Sequence, residues 1–345
     1  MDSLNKTLEI RTSPYIESGD SVEVIMRNVV WALLPVTLFA VWLFGLAALL
    51  LLATSLLTCV LTEYILCRLT QRDSTISDWS VVITGLIFGL TLPPGLPLWM
   101  VVVGGILAVA LGKFLFGGLG YNSFNPALVG RAFLQAAFPA AMTTWTPVFS
   151  SDRFHTLPSS TLTMPFTTPV YDVISSATPL AAMKFDHRLT GTGDLLFGLT
   201  GGSVGETGSV LILLGGAYLI ARRMMDWRIP VGIFGAVVLL SGLLHVIDPL
   251  YPPPVFMLFS GGLMLGAMFM ATDMVASPIT GSGRFIYGVL IGVLIVVIRI
   301  WGGMPEGVMY AILFANAVSP HIDRLIQPVV FGARKKESRH PRSRN

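Results

Sequence analysis

Residues 29–66 form an apolar run too long for a single crossing of a bilayer. A spanning helix takes about 20 residues at a rise of about 1.5 Å each. The run therefore fits two tightly packed helices, with a bend expected near Gly45. Further apolar runs lie at 81–92, 98–116 and 124–141, and beyond a polar interval at 207–221, 229–246, 255–271, 285–300 and 305–319. This pattern predicts an all-α polytopic membrane protein with about ten transmembrane helices. Charge supports it: only 12% of the 345 residues are charged, where a soluble domain carries about 25%.

The ends of the runs are marked chemically. The run at 81–92 closes in T-L-P-P-G-L-P, where proline and glycine stop a helix and turn the chain. The run at 124–141 opens in N-P-A, with Pro126 suited to a first helical turn. The first 28 residues mix Asp, Glu, Lys and Arg, and the apolar run starts only near Val29, unlike a cleavable signal peptide. The expected organisation is an N-terminal segment 1–28, a first membrane half 29–141, a loop 142–206, a second membrane half 207–320 and a basic tail 321–345. Five spans on each side of the loop would run in opposite senses, the arrangement of two inverted repeats.

Lysine and arginine set the orientation. With the N-terminus in the cytoplasm, 17 of the 22 basic residues fall on the cytoplasmic side and four outside, with Arg131 inside a span. Lys113 is counted as cytoplasmic, Arg299 as extracytoplasmic. Both termini are thus expected in the cytoplasm and the 142–206 loop outside it. The net charge of +3 comes mostly from the tail, which suits anionic lipid and gives no argument for nucleic acid. Cys59 and Cys67 read as core residues, and no metal site is expected. There is no G-x-x-x-x-G-K-[ST] and no dinucleotide fingerprint. The chain is not expected to act on a nucleotide by itself, and no catalytic residue of its own is predicted.

Three apolar-flanked runs carry polar groups. Residues 116–134 contain Gly117, Gly118 and Gly120, then Asn122, Asn125 and Arg131. An arginine at the centre of a spanning helix costs about 2.5–3.5 kcal/mol, so it calls for a partner or a task. Arg131 either snorkels to the cytoplasmic surface or contacts a bound group or a partner subunit. In residues 269–284, Asp273 and Arg284 are either boundary charges or, for Asp273, part of a binding site or ion route. In residues 299–306, Glu306 either serves an ion path or pairs with Arg299.

The longest polar segment holds Y-D-V-I-S-S-A-T-P-L-A-A-M-K at 171–184. Pro179 biases Thr178 toward an extended backbone, which is expected to hold its hydroxyl out for a second protein to modify. Asp172, Ser175, Ala177 and Thr178 match the flavinylation motif D-g-x-(S/T)-g-A-T, with Val173 and Ser176 in place of its glycines. Here, and in F-N-P-A-L-V-G-R-A-F-L, A-T-D-x-V and W-G-G-x-P-E-G, the chain resembles the D subunit of the Rnf complex. It is more distantly similar to the B subunit of the Na+-translocating NADH:quinone reductase. The similarity runs from about residue 79 to 324.

The resemblance implies FMN joined to Thr178 through a phosphoester, with Asp172, Ser175, Ser176 and Ala177 around it. The phosphodiester keeps about one negative charge, for which Lys184 and Arg188 are the nearby cations in the sequence. It also implies a second, non-covalent flavin such as riboflavin, which no residue of the sequence places. Asn122, Asn125, Arg131, Asp273 and Glu306 are candidate flavin or ion-path residues. The implied partners are a flavin transferase, a second flavin-carrying subunit, iron–sulfur subunits and other membrane subunits. The implied activity is that of one subunit of a redox-driven translocase in the inner membrane, moving electrons between ferredoxin and NAD+ and driving Na+ or H+ across. Ten spans with broken helices also suit a passive channel or solute transporter, which would have no flavin at Thr178.

Overall fold

The computed structural model describes residues 21–72, 75–165, 167 and 177–328. Asp172, Ser175 and Ser176, and most of the basic tail, lie outside the described residues.

The described residues form helices and loops without strands, and the chain is an all-α polytopic membrane protein. Gly45 ends α1 (Val22–Phe44) with φ of 70° and opens α2 (Leu46–Leu69), so the bend expected there is a clean break. The next runs give α3 (Ser80–Leu90), α4 (Leu98–Val109), α5 (Pro126–Ala137) and a short α6 (Pro139–Met142). Among the described residues of the polar interval lie the helices α7 (Pro179–Asp186) and α8 (Thr192–Phe197). The second half holds α9 (Ser209–Ala221), α10 (Arg228–Ile247), α11 (Pro254–Phe259), α12 (Leu263–Leu265), α13 (Gly281–Trp301) and α14 (Val308–Leu325). Among the described residues, α1, α2, α10 and α13 are each long and apolar enough to cross a membrane, while α3, α9 and the α4 segment are shorter apolar helices.

The span expected at 255–271 is not one helix. It breaks at Ser260–Gly261 between α11 and α12, then continues as a π-helical turn from Gly266 to Met270. Gly261 has φ of +64°, a left-handed backbone that only glycine adopts without strain. The α4 segment likewise ends in a π turn, from Ala110 to Phe114.

The order of packing recurs in the two halves. Helix α2 packs on α3 and α4, and α4 on α5; α10 packs on α11 and α13, and α13 on α14. Helices α1 and α9 meet across the halves. One continuous core draws on both, with Leu33, Phe88 and Leu134 joined to Met264, Tyr287 and Ile312.

Lys113 is not a cytoplasmic boundary charge. The π turn carries its side chain into the packing, where it is 3% exposed. Its Nζ donates to Glu63 at 2.7 and 2.8 Å and to Ser80 Oγ at 2.6 Å. Thr75 also donates to Glu63. This pair fastens α2 to the end of α4. Lys113→Met strands the Glu63 charge and is expected to cost about 3–5 kcal/mol, whereas the Glu63→Leu/Lys113→Met double variant recovers most of it. Unfolding of both variants in detergent measures the difference.

Candidate functional site

Thr178 is the N-cap of α7. Its φ of −67° and ψ of 152° are the extended geometry that Pro179 imposes. The hydroxyl, however, is not held out. Thr178 is 2% exposed, and its Oγ1 accepts from the Ala181 backbone N–H at 3.2 Å. An N-cap side chain turns back onto its own helix, because the first N–H groups lack partners.

Below Thr178, Leu180 and Met183 of α7 pack with Leu195 of α8 and Phe256 of α11. Lys184 does not reach back toward Thr178. Its Nζ donates to the carbonyls of Arg299 (3.0 Å) and Gly302, orphan acceptors where α13 ends, and to that of Met304 (3.2 Å) in the loop beyond. Arg188 is exposed. Helix α7 is therefore tied at one side to the broken helix and at the other to the end of α13.

The contact between α7 and the break is close. A Cβ at Gly261 would stand 2.6 Å from Leu180 Cδ1 and 3.2 Å from Arg299 Nη2. Arg299 is 4% exposed, and its guanidinium donates to Met257 O at 2.5 Å and Ser260 O at 2.8 Å. It thereby closes the carbonyls that the break leaves open.

Arg131 does not snorkel, and Glu306 does not form its ion pair with Arg299. Arg131 is 8% exposed, and its Nη2 meets Glu306 Oε2 at 2.6 Å. Arg299 is already committed to backbone carbonyls, which leaves Glu306 to Arg131. Glu206 lies against Gly262, where a Cβ would stand 3.9 Å from its Oε1, and Gly262 lines the same small cavity as Arg131 and Glu306, so the two carboxyls face one another. Glu206 is not among the residues that the sequence singles out; its signal is an acid inside the glycine-rich run G-G-S-V-G-E-T-G at the edge of a span.

A second group forms at the other end of α5. Asn125 caps α5, accepting from Ala127 N at 3.1 Å, and its Nδ2 donates to Met270 O at 3.1 Å. Asn122 Nδ2 donates to Asp273 Oδ2 at 3.3 Å, while Asp273 Oδ1 accepts from Val275 N at 3.1 Å. Asn122, Asn125 and Asp273, with Lys113, line a cleft of about 100 Å³, whose other walls are largely Ile, Leu and Met. The five candidate residues thus divide into two sites, Asn122–Asn125–Asp273 and Arg131–Glu306.

Residues 9–332 match the model of the NQR2, RnfD, RnfE family. The chain belongs to that family. It is 39% identical over 337 residues to the D subunit of the proton-translocating ferredoxin:NAD(+) oxidoreductase complex of Clostridium ljungdahlii, covering 94% of this chain and 96% of that protein. It is also 39% identical over 339 residues to the D subunit of the Na(+)-translocating ferredoxin:NAD(+) oxidoreductase complex of Acetobacterium woodii, covering 97% and 98%. The D subunit of the ion-translocating oxidoreductase complex of Stutzerimonas stutzeri is 40% identical over 331 residues, covering 90% and 92%. The family resemblance read from the motifs holds over nearly the whole chain. Two relatives of equal identity are named for different ions, so similarity at this level does not choose between H+ and Na+.

In this family member the seating of α7 depends on Gly261. Gly261→Ala is expected to destabilise the protein by about 1–2 kcal/mol from the left-handed backbone alone, and to lift Leu180 off the break. Gly262→Ala is the control: its backbone is not left-handed, and its Cβ would meet nothing nearer than 3.9 Å. Thermal unfolding and protease cleavage near α7 should change in the first variant and not in the second.

Proposed function

We propose that Thr178 carries FMN through a phosphoester and that this flavin acts beside the broken helix 254–270. The chain is a membrane subunit of an ion-translocating electron-transport complex. Its electrons pass between ferredoxin and NAD+, the pair named for its relatives, and both of those substrates are handled by other subunits. The observation that carries this reading is the position of Thr178, at the N-terminus of a helix seated directly on Gly261 and, through it, on Arg299.

The residues present fit a phosphate there. The Thr178 oxygen accepts from Ala181 N, which leaves its O–H hydrogen free to be replaced. A phosphodiester at this oxygen would put an anion at the positive end of α7, where free N–H groups favour it. Because Thr178 is buried, attachment requires the start of α7 to open to the flavin transferase. When bound, FMN takes up two electrons and releases them singly, joining unlike redox partners. Lys184 and Leu180 hold α7 in register with α13 and the break, so any change at Thr178 bears on both.

The cleft of Asn122, Asn125 and Asp273 suits a second flavin. Its apolar walls match an aromatic ring system, and its amides and carboxyl match the ring's donors and acceptors. The two membrane halves, 29–141 and 207–320, act as inverted repeats around these sites. In this reading Thr178 is on the extracytoplasmic side of the inner membrane and both termini are in the cytoplasm, which the bias of Lys and Arg supports. Moving one charge against 100 mV takes about 2.3 kcal/mol, which a redox step supplies if it favours one packing of the halves over the other. The partners in this reading are a second flavin-carrying subunit and iron–sulfur subunits.

The test is production of the chain with a flavin transferase, followed by a denaturing gel and intact mass. The wild type is expected to fluoresce and to carry the FMN increment. Thr178→Ser, which keeps a hydroxyl, should retain part of it and Thr178→Ala none. An unmodified wild type, or an adduct that survives Thr178→Ala, contradicts the proposal.

A further inference from the structure

The Glu206–Glu306 contact is unlike the buried pair of Glu63 and Lys113. Glu63 and Lys113 satisfy one another, with Ser80 and Thr75 supplying further bonds. Around Glu306 the bonding is incomplete. Glu306 Oε2 has Arg131, but Glu306 Oε1, Glu206 Oε1, Arg131 Nε and Arg299 Nε are all buried without a partner among the described residues. Arg131 and Glu306 also line a small cavity of about 30 Å³ together with Gln135.

Glu206 lies against Gly262, which lines the same cavity as Arg131 and Glu306, and both acids keep a buried, unpartnered oxygen there. Two carboxyl groups that face one another cannot bond when both are ionised, because neither has a hydrogen to donate. We propose that Glu206 and Glu306 hold one exchangeable proton between them, and that this pair is a proton-binding site of the translocation cycle. Its role in that cycle rests on the redox reading above; the site itself does not.

The groups facing the pair define its two states. With the proton in place, Glu206 is neutral and donates to the Glu306 carboxylate, which Arg131 holds. When the O–H bond of Glu206 breaks, the proton leaves, the bonding electrons stay on the oxygen, and two carboxylates repel at short range. The Nε–H groups of Arg131 and Arg299, unused in the first state, are the donors a second carboxylate can take. Two guanidinium charges then face two carboxylate charges, and the cluster is neutral. Lys184 is a further cation nearby, fixed on the carbonyls where α13 ends.

Arg299 makes the site more than a local titration. Its two terminal nitrogens close the break at Met257 and Ser260, and Gly261 of that break supports Leu180 of the Thr178 helix. A demand from Glu206 on Arg299 is therefore felt at α7, and by the reciprocity of linkage a change at α7 is felt by the proton.

Infrared spectroscopy of the purified full chain tests the site directly. At neutral pH the wild type should show a protonated-carboxyl stretch that shifts in D2O. Either Glu206→Gln or Glu306→Gln supplies an amide hydrogen in place of the proton, so the remaining carboxyl ionises and the band should be lost. Asp273→Asn should leave it. Should one Gln variant fold poorly, the other still reads the site. Absence of an exchangeable band in the wild type, or its survival in both Gln variants, overturns the site. In vesicles of the assembled complex, Glu206→Gln should keep flavin on Thr178 but lose coupled ion uptake. Normal uptake overturns the role in translocation. The carboxyl band does not need flavin, so a missing flavin and a missing proton are told apart.

Discussion

A helix that breaks inside a membrane exposes carbonyls where no water can reach them, and each unsatisfied group costs several kcal/mol. Much of the architecture follows from how these breaks are closed. Arg299 supplies donors to Met257 and Ser260. The loop before α9 supplies two more at the end of α3, Val204 N to Leu92 O at 3.0 Å and Gly205 N to Leu90 O at 2.6 Å. A side chain at Gly205 would run into Leu90 and Leu265, at 2.8 and 2.9 Å, so only glycine lets that loop approach. Lys184 closes the end of α13. In every case the closing group comes from a distant part of the chain. The loop at 202–206, α7, the broken helix and α13 therefore form one mechanical unit.

The buried charges then divide by how completely they are bonded. Satisfied polar networks rigidify a core, while partly satisfied ones leave room for a second arrangement. The Glu63–Lys113 pair belongs to the first kind and holds α2 against α4. The group of Arg131, Glu206, Arg299 and Glu306 belongs to the second, and it lies under the helix that begins at Thr178. The break at Gly261 is where Leu180 of α7 and Arg299 meet, and so where the proposed flavin helix and the proposed proton site would touch.

Much of the fold is legible in the sequence because hydropathy depends on residues taken one at a time. The runs, the break at Gly45 and the extended backbone at Thr178 follow from apolar length, from glycine and from Pro179. Contacts between residues far apart in the chain are not legible in the same way. Arg131 and Glu306 are 175 positions apart, and Lys113 and Glu63 are 50 apart. No local pattern says that a lysine counted at the membrane surface is turned inward by a π turn, or that Arg299 spends its donors on a helix break. Glu206 escapes notice because it lies in a loop, and a loop acid reads as solvated until the loop is seen folded against α3 and α12. Thr178 is recognisable from its motif, but its burial is not, since capping is satisfied by the helix it starts. Asp172, Ser175 and Ser176 lie outside the described residues.

Hydrogen–deuterium exchange of the assembled complex, compared between its oxidised and chemically reduced forms, addresses the joining of the two chemistries most directly. If the Thr178 helix and the buried charges move as one, reduction should change exchange in residues 254–265 and 299–307 together, and leave α2 as it was. Exchange that is identical in the two redox states across both segments would contradict the account.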